Sequence, residues 1–209
     1  MENLLLIIYM INLCYMMVAS RFLLHIRILA IQGLLLFGIA FLELKHVDEF
    51  NFIFILAETL IFKAIFVPYF LYRIVKRNNL KRDFALSIKG FYAVFVILSI
   101  IIISFTLAYN LYDEQLKITF FTCSLSSILT AFFLIIFRNN IIKHIMSYVI
   151  LENGIFLFSL ALGNEMPMIV NTGILLDLFT SVIILGVFAN RISTILHTIE
   201  VDNLTELKD

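Results

Sequence analysis

Polar positions in this chain are rare and bunched. Ile-, Leu- and Phe-rich stretches fill seven segments, roughly 4–19, 27–43, 51–72, 88–110, 118–137, 144–163 and 168–190. Most approach the ~20 residues that a helix rising about 1.5 Å per residue needs to cross roughly 30 Å of hydrocarbon. The two-residue alternation of membrane β-strands is absent, so the pattern predicts an all-α fold, a polytopic transmembrane bundle of about seven spans. The first two stretches are short. They read as two spans or as one tilted pair with a tight turn at Ser20 and Arg21. The first has no basic leader and no small-x-small cleavage site, and it reads as a retained span.

Composition supports a lipid-solvated chain. Of 209 residues 62% are hydrophobic and 14% charged, with a mean hydropathy of +1.05. A water-solvated domain carries about 25% charged residues. Fifteen basic residues balance fifteen acidic ones, which excludes a basic attraction to nucleic acid. Cys14 and Cys123 lie in apolar runs without CxxC or Cys/His spacing and read as small hydrophobes.

The basic residues set the orientation. Arg21 and Arg27 lie between spans one and two; Arg73, Lys76, Arg77, Lys81, Arg82 and Lys89 between three and four. Arg138 and Lys143 lie between five and six, and Arg191 and Lys208 follow span seven. These twelve face two on the opposite side, Lys45 and Lys117, which places the N-terminus outside and the C-terminus in the cytoplasm. The chain reads as one transmembrane domain over 1–209, with no loop large enough for a soluble catalytic domain. Ile192, Ile195, Leu196 and Ile199 give the tail 191–209 an amphipathic helical pattern, or a continuation of span seven.

Four ionisable residues fall inside the spans: Glu58 and Lys63 in the third, Glu152 in the sixth and Asp177 in the seventh. A charge at a helix centre costs about 2.5–3.5 kcal/mol on insertion scales, so such residues face the bundle interior or a wet path, or become neutral. Pro68, five residues after Lys63, takes a donor from the helix ladder beside it. Glu58, five positions before Lys63, stands about 140° away on an α-helix, which makes a carboxylate on another helix or subunit the better partner for the lysine. Tyr148 is one turn before Glu152 and within reach of its carboxyl, while Asn153 and Gly154 permit close helix contact. Each position also has a structural reading. Lys63 fits a fixed ion pair or a snorkelling lysine, and Glu152 a neutral helix–helix hydrogen bond. Glu58 and Asp177 carry the weaker functional signal. His25, His46, His144 and His197 sit at span ends without metal-ligand spacing and read as solvated. No Walker loop, GxGxxG, GxSxG, HExxH or haem-attachment pattern is present, so redox or hydrolytic chemistry has no visible seat here.

Three stretches in order carry a resemblance. They are Ile61-Phe62-Lys63-Ala64-Ile65-Phe66-Val67-Pro68; Arg138-Asn139-Asn140-Ile141 leading to Tyr148 and Leu151-Glu152-Asn153-Gly154; and Val201-Asp202-Asn203-Leu204-Thr205-Glu206-Leu207-Lys208. Over nearly its whole length the chain resembles the HyfE family, membrane component E of hydrogenase-4 and formate-hydrogenlyase-type complexes. Its last three spans, 117–190, are similar to the NuoK-type subunit of respiratory complex I, after four N-terminal spans in 1–116. There an Arg/Asn turn precedes a helix with a buried glutamate; Arg138, Asn139 and Glu152 match it with a gap about one turn longer, and Asp177 answers to a second buried carboxylate.

The resemblance implies an accessory subunit of a membrane-bound [NiFe]-hydrogenase-like complex in a bacterial cytoplasmic (inner) membrane, not an enzyme on its own. It implies antiporter-like and quinone-subunit-like membrane partners and soluble hydrogenase-arm subunits. No cofactor is expected in this chain; the NiFe centre and iron–sulfur clusters would belong to those partners. Glu152, Lys63, Asp177 and Glu58 are the candidates for proton or sodium translocation, with Tyr148, Asn153, Pro68, Arg138 and Asn139 in support. The alternatives are a purely structural scaffold, or a subunit of a complex I-like dehydrogenase or multisubunit cation/proton antiporter.

Overall fold

A computed structural model describes residues 1–19, 21–44, 49–77, 90–111, 117–137 and 141–162. Every element among them is helical: α1 (Glu2–Val18), α2 (Phe22–Glu43), α3 (Glu49–Ala57), a π-helical segment (Glu58–Phe66), α4 (Val67–Arg77), α5 (Gly90–Asn110), α6 (Ile118–Phe137) and α7 (Ile141–Ala161). Five helical stretches are long and apolar enough to cross a membrane, Phe22–Glu43, Phe52–Lys76, Tyr92–Asn110, Ile118–Phe137 and Ile142–Ala161; α1, at 17 residues, is shorter. The chain is thus a helical bundle of membrane-protein character. Span seven, with Asp177, the 138–140 turn with Arg138 and Asn139, and the tail lie outside the described residues.

Several helices run further than hydropathy suggests. α2 begins at Phe22 and not near residue 27, so His25 and Arg27 are helical. α7 begins at Ile141, so Lys143 and His144 also stand within a helix. Lys143 is buried, its ammonium held inside the bundle, so a basic residue near a helix start does not mark the boundary and charge alone places it too late. α1 ends at Val18 and α2 begins at Phe22, so two helices occupy this stretch.

The helices pack as neighbours in sequence and then across the bundle. α6 and α7 form the most extensive pair, α1 lies against α2, α5 and α6, and α2 reaches both the π segment and α7. Backbone approach is closest at two glycines. A Cβ on Gly33 of α2 would fall 2.7 Å from the Ala64 backbone, and one on Gly154 of α7 would fall 2.8 Å from Ile128 Cγ1 of α6. α5 is the least buried of the long helices and turns Tyr92, Phe95, Ile102, Phe105 and Tyr109 outward.

Apolar packing divides into two cores. One gathers Leu13, Met17, Leu29, Leu71, Ile97, Leu134, Ile145 and Ile150; the other Leu6, Leu36, Ile39, Ile55, Ala108, Phe121, Phe156 and Leu157. Along every long helix the change from one core to the other falls near the middle, and polar residues occupy the gap.

Candidate functional site: a polar layer between two apolar cores

Each helix contributes to that gap. On α2, Gln32 and Gly33 stand between Leu29 and Leu36; on the third rod, the continuous run of α3, the π-helical segment and α4, Glu58, Thr59 and Lys63 lie between Ile55 and Val67. On α6, Ser124, Ser126, Ser127 and Thr130 separate Cys123 from Ala131. On α7, Glu152 and Asn153 separate Ile150 from Phe156, and Ser104 holds the equivalent place on α5. Gln32 is about 15 Å along its axis from the start of α2, half of a hydrocarbon thickness of roughly 30 Å. The layer therefore sits midway along the long helices.

Its centre is an ion pair. Lys63 Nζ lies 3.1 Å from Glu152 Oε1, and both side chains are 4% exposed. The same ammonium stands 4.5 Å above the Phe156 ring. Lysine is thus enclosed and does not snorkel. Its carboxylate is on another helix of the same chain. The contact is at ion-pair distance, and Lys63 is the charge partner of the Glu152 carboxylate. The Tyr148–Glu152 hydrogen bond that one-turn spacing suggests is therefore not made; the Glu152 carboxylate meets Lys63 instead, and Tyr148 is half-buried on the same helix.

Glu58 differs most from expectation. The sequence argument assumed α-helical rotation, under which it turns away from Lys63. Glu58–Phe66 is π-helical, so backbone bonds close over five residues and side chains five apart rise on nearly the same face. Pro68, two residues after the segment, offers no backbone N–H and weakens the α ladder at its end. Glu58 is 2% exposed, within electrostatic reach of Lys63 and Glu152, and neither oxygen has a hydrogen-bond partner among the described residues. Thr59 bonds the Ile55 carbonyl at 2.9 Å, so the hydroxyl beside Glu58 satisfies itself locally.

Sequence reasoning missed several layer residues because they carry no charge. Among the described residues Gln32 is fully enclosed with neither amide atom partnered; Asn153, which the sequence did single out beside Glu152, has an Oδ1 without a donor. Tyr9 and Ser127 lie 2.9 Å apart, and Ser127 donates to the Ile150 carbonyl at 3.2 Å, so Tyr9 donates to Ser127. That chain ties α1 and α6 to the backbone of α7 two residues before Glu152. A glutamine midway along an otherwise apolar helix was the available signal.

A second polar contact lies at the other end of these helices. His25, expected to be solvated, is 2% exposed; its Nδ1 is 3.0 Å from the Arg21 carbonyl, and Lys143 Nζ lies 2.9 Å from the ring nitrogens. Lys143 also stands 5.0 Å above the Phe22 ring. At the opposite membrane face Lys117 pairs with Glu43, joining α6 to the end of α2. Among the described residues no group of His, Cys, Asp and Glu side chains converges as a metal-binding set.

No family model matches the chain, and no solved structure matches it. It is 32% identical over 82 residues to the uncharacterized protein Rv0085 of Mycobacterium tuberculosis. The match takes in 39% of this chain and spans 37% of that relative's length.

Proposed function

We propose that this chain is an integral subunit of a membrane-bound, hydrogenase- or formate-hydrogenlyase-like complex, linking its membrane subunits and contributing buried charges to proton or sodium movement. In this reading it crosses a bacterial inner membrane seven times, N-terminus outside, with 117–190 as a NuoK-like unit. It is not an enzyme alone; the NiFe centre and iron–sulfur clusters reside in partner subunits. The complex assignment rests on the three sequence stretches that resemble HyfE.

One observation carries the mechanistic part: a Lys63–Glu152 ion pair enclosed midway along the helices between two apolar cores. A lipid-surrounded scaffold is built from small apolar contacts without buried charge, and placing an ammonium and a carboxylate in this layer has a desolvation cost that packing alone does not require. An ion pair between two helices is also bistable: a change in helix spacing or protonation breaks it as a unit. Partner subunits that move the third rod relative to α7 would thereby change the proton affinity of the pair.

The deciding experiment measures redox-driven ion uptake into membrane vesicles carrying the assembled complex. Glu152→Gln and Lys63→Ala are expected to leave a complex of normal size on native gels with impaired ion uptake per electron pair. Normal assembly with full uptake in both variants would overturn the reading. The enclosure of the pair by Phe156 and the tight Gly33 contact favour a second reading, a scaffold, in which both variants give a smaller complex and coupling is unaltered in whatever assembles.

A further inference from the structure

Among the described residues three charged-type side chains share the layer, Glu58, Lys63 and Glu152, and none is more than 4% exposed. Among these the one cation, Lys63, is in contact with Glu152. Both Glu58 oxygens are buried without a hydrogen-bond donor among the described residues. An ionised carboxylate with neither donor nor counter-charge of its own is the least favourable species a low-dielectric interior can hold. Its layer neighbours Gln32, Thr59 and Asn153 are uncharged and cannot neutralise it. One monovalent cation is needed. A proton requires no coordination shell, and among the described residues no group of three or more His, Cys, Asp and Glu side chains converges there.

We propose that Glu58 carries an exchangeable proton on a carboxyl oxygen. The inference deepens the ion-moving role and rests on that reading for the proton's use, naming the ion and its carrier. With one ammonium and two carboxyl groups, one carboxylate stays ionised against Lys63 and the other holds the proton. The π-helical segment puts Lys63 and Glu58 on nearly the same face, so the ammonium has two alternative partners. When it moves from Glu152 to Glu58, Glu58 releases its proton and Glu152 takes one up. The layer begins and ends neutral, and one proton has entered and one has left.

Infrared spectra of the full chain in its assembled complex, in membranes and in H₂O and D₂O, test this by counting protonated carboxyls. Wild type minus Glu58→Gln is expected to show one deuterium-sensitive carboxylic-acid C=O band. Glu152→Gln hands Lys63 to Glu58 and abolishes the same band. Lys63→Met leaves both carboxyls protonated and doubles its intensity. A wild-type-minus-Glu58→Gln difference without the band overturns the proposal, as does unchanged intensity in Lys63→Met. So does a band that sodium chloride removes and choline chloride preserves, which assigns sodium to the site. The Lys63→Met arm decides the matter where Glu58→Gln does not assemble. The spectra do not depend on transport: the expected bands with undiminished ion uptake in Glu152→Gln would end the coupling role and leave the Glu58 proton standing.

Discussion

Removing either carboxylate of the layer alone leaves Lys63 another one, whereas removing both strands a buried ammonium there. Stranding a buried charge costs about 3–5 kcal/mol, while a retained alternative partner holds the loss well below that. The double variant Glu58→Gln/Glu152→Gln is therefore expected to be destabilised by more than the two single losses together, in thermal unfolding of the detergent-purified complex. Additivity within about 0.5 kcal/mol would show that Glu58 and Glu152 do not share the lysine. At the far end of α2, His25→Leu removes one buried hydrogen-bond partner of Lys143. A loss of about 1–3 kcal/mol is expected in the same assay, and a neutral variant would show that the contact holds nothing together. The ionisable residues were legible one by one in the sequence, because charge in an apolar run is conspicuous. Which pairs they form was not. The Glu58–Lys63 relation depends on a π-helical turn that residue spacing alone misassigns.

Two glycines set how closely the helices approach. Gly33 brings α2 onto the backbone at Lys63 and Ala64, and the close contact includes the carbonyl carbon of Lys63 itself. Backbone cannot swing aside as a side chain does, so Gly33→Ala must push the helices apart. The expected cost is about 1–3 kcal/mol, and the displacement opens the Lys63–Glu152 contact as well. Gly154→Ala meets a side-chain carbon first, Ile128 Cγ1, with the Ser127 Cβ and Ile128 backbone farther off at 3.1 Å. It should cost less, since the isoleucine can rotate. Comparing assembly yield and ion uptake for the two variants checks both points, and an equally mild effect at both positions would contradict the close-approach argument. Gly154 drew attention in the sequence because it adjoins Glu152 and Asn153. Gly33 did not, because its partner is more than thirty positions away and only packing makes it significant.

Across the whole molecule, the proposed orientation places the basic connection after α4 in the cytoplasm. A cysteine substituted for Lys81 is expected to react with a membrane-impermeant maleimide only in inside-out vesicles, and one substituted for His46 only in right-side-out vesicles. Lys81 labelled from outside would reverse the topology and the direction of any ion movement. The five long apolar helices among the described residues were readable because hydrocarbon thickness fixes helix length, and hydropathy reports that length directly. Helix starts were less readable, as Arg27 and Lys143 show, because a basic residue is tolerated within the first two turns and does not mark where the helix begins.

By itself, the sequence determined the helical, lipid-solvated class of the protein and the handful of charged residues that must avoid hydrocarbon. Both follow from local quantities, the transfer cost of each side chain and the spacing between them. The tertiary structure decided that Gln32, Tyr9, Ser127 and Asn153 join those charges in one layer between two apolar cores, and that Lys63 meets Glu152. Such relations depend on which helices touch and at what rotation. Close approach at Gly33 and Gly154 and the π-helical segment fix both, through contacts distant in sequence that no periodicity encodes.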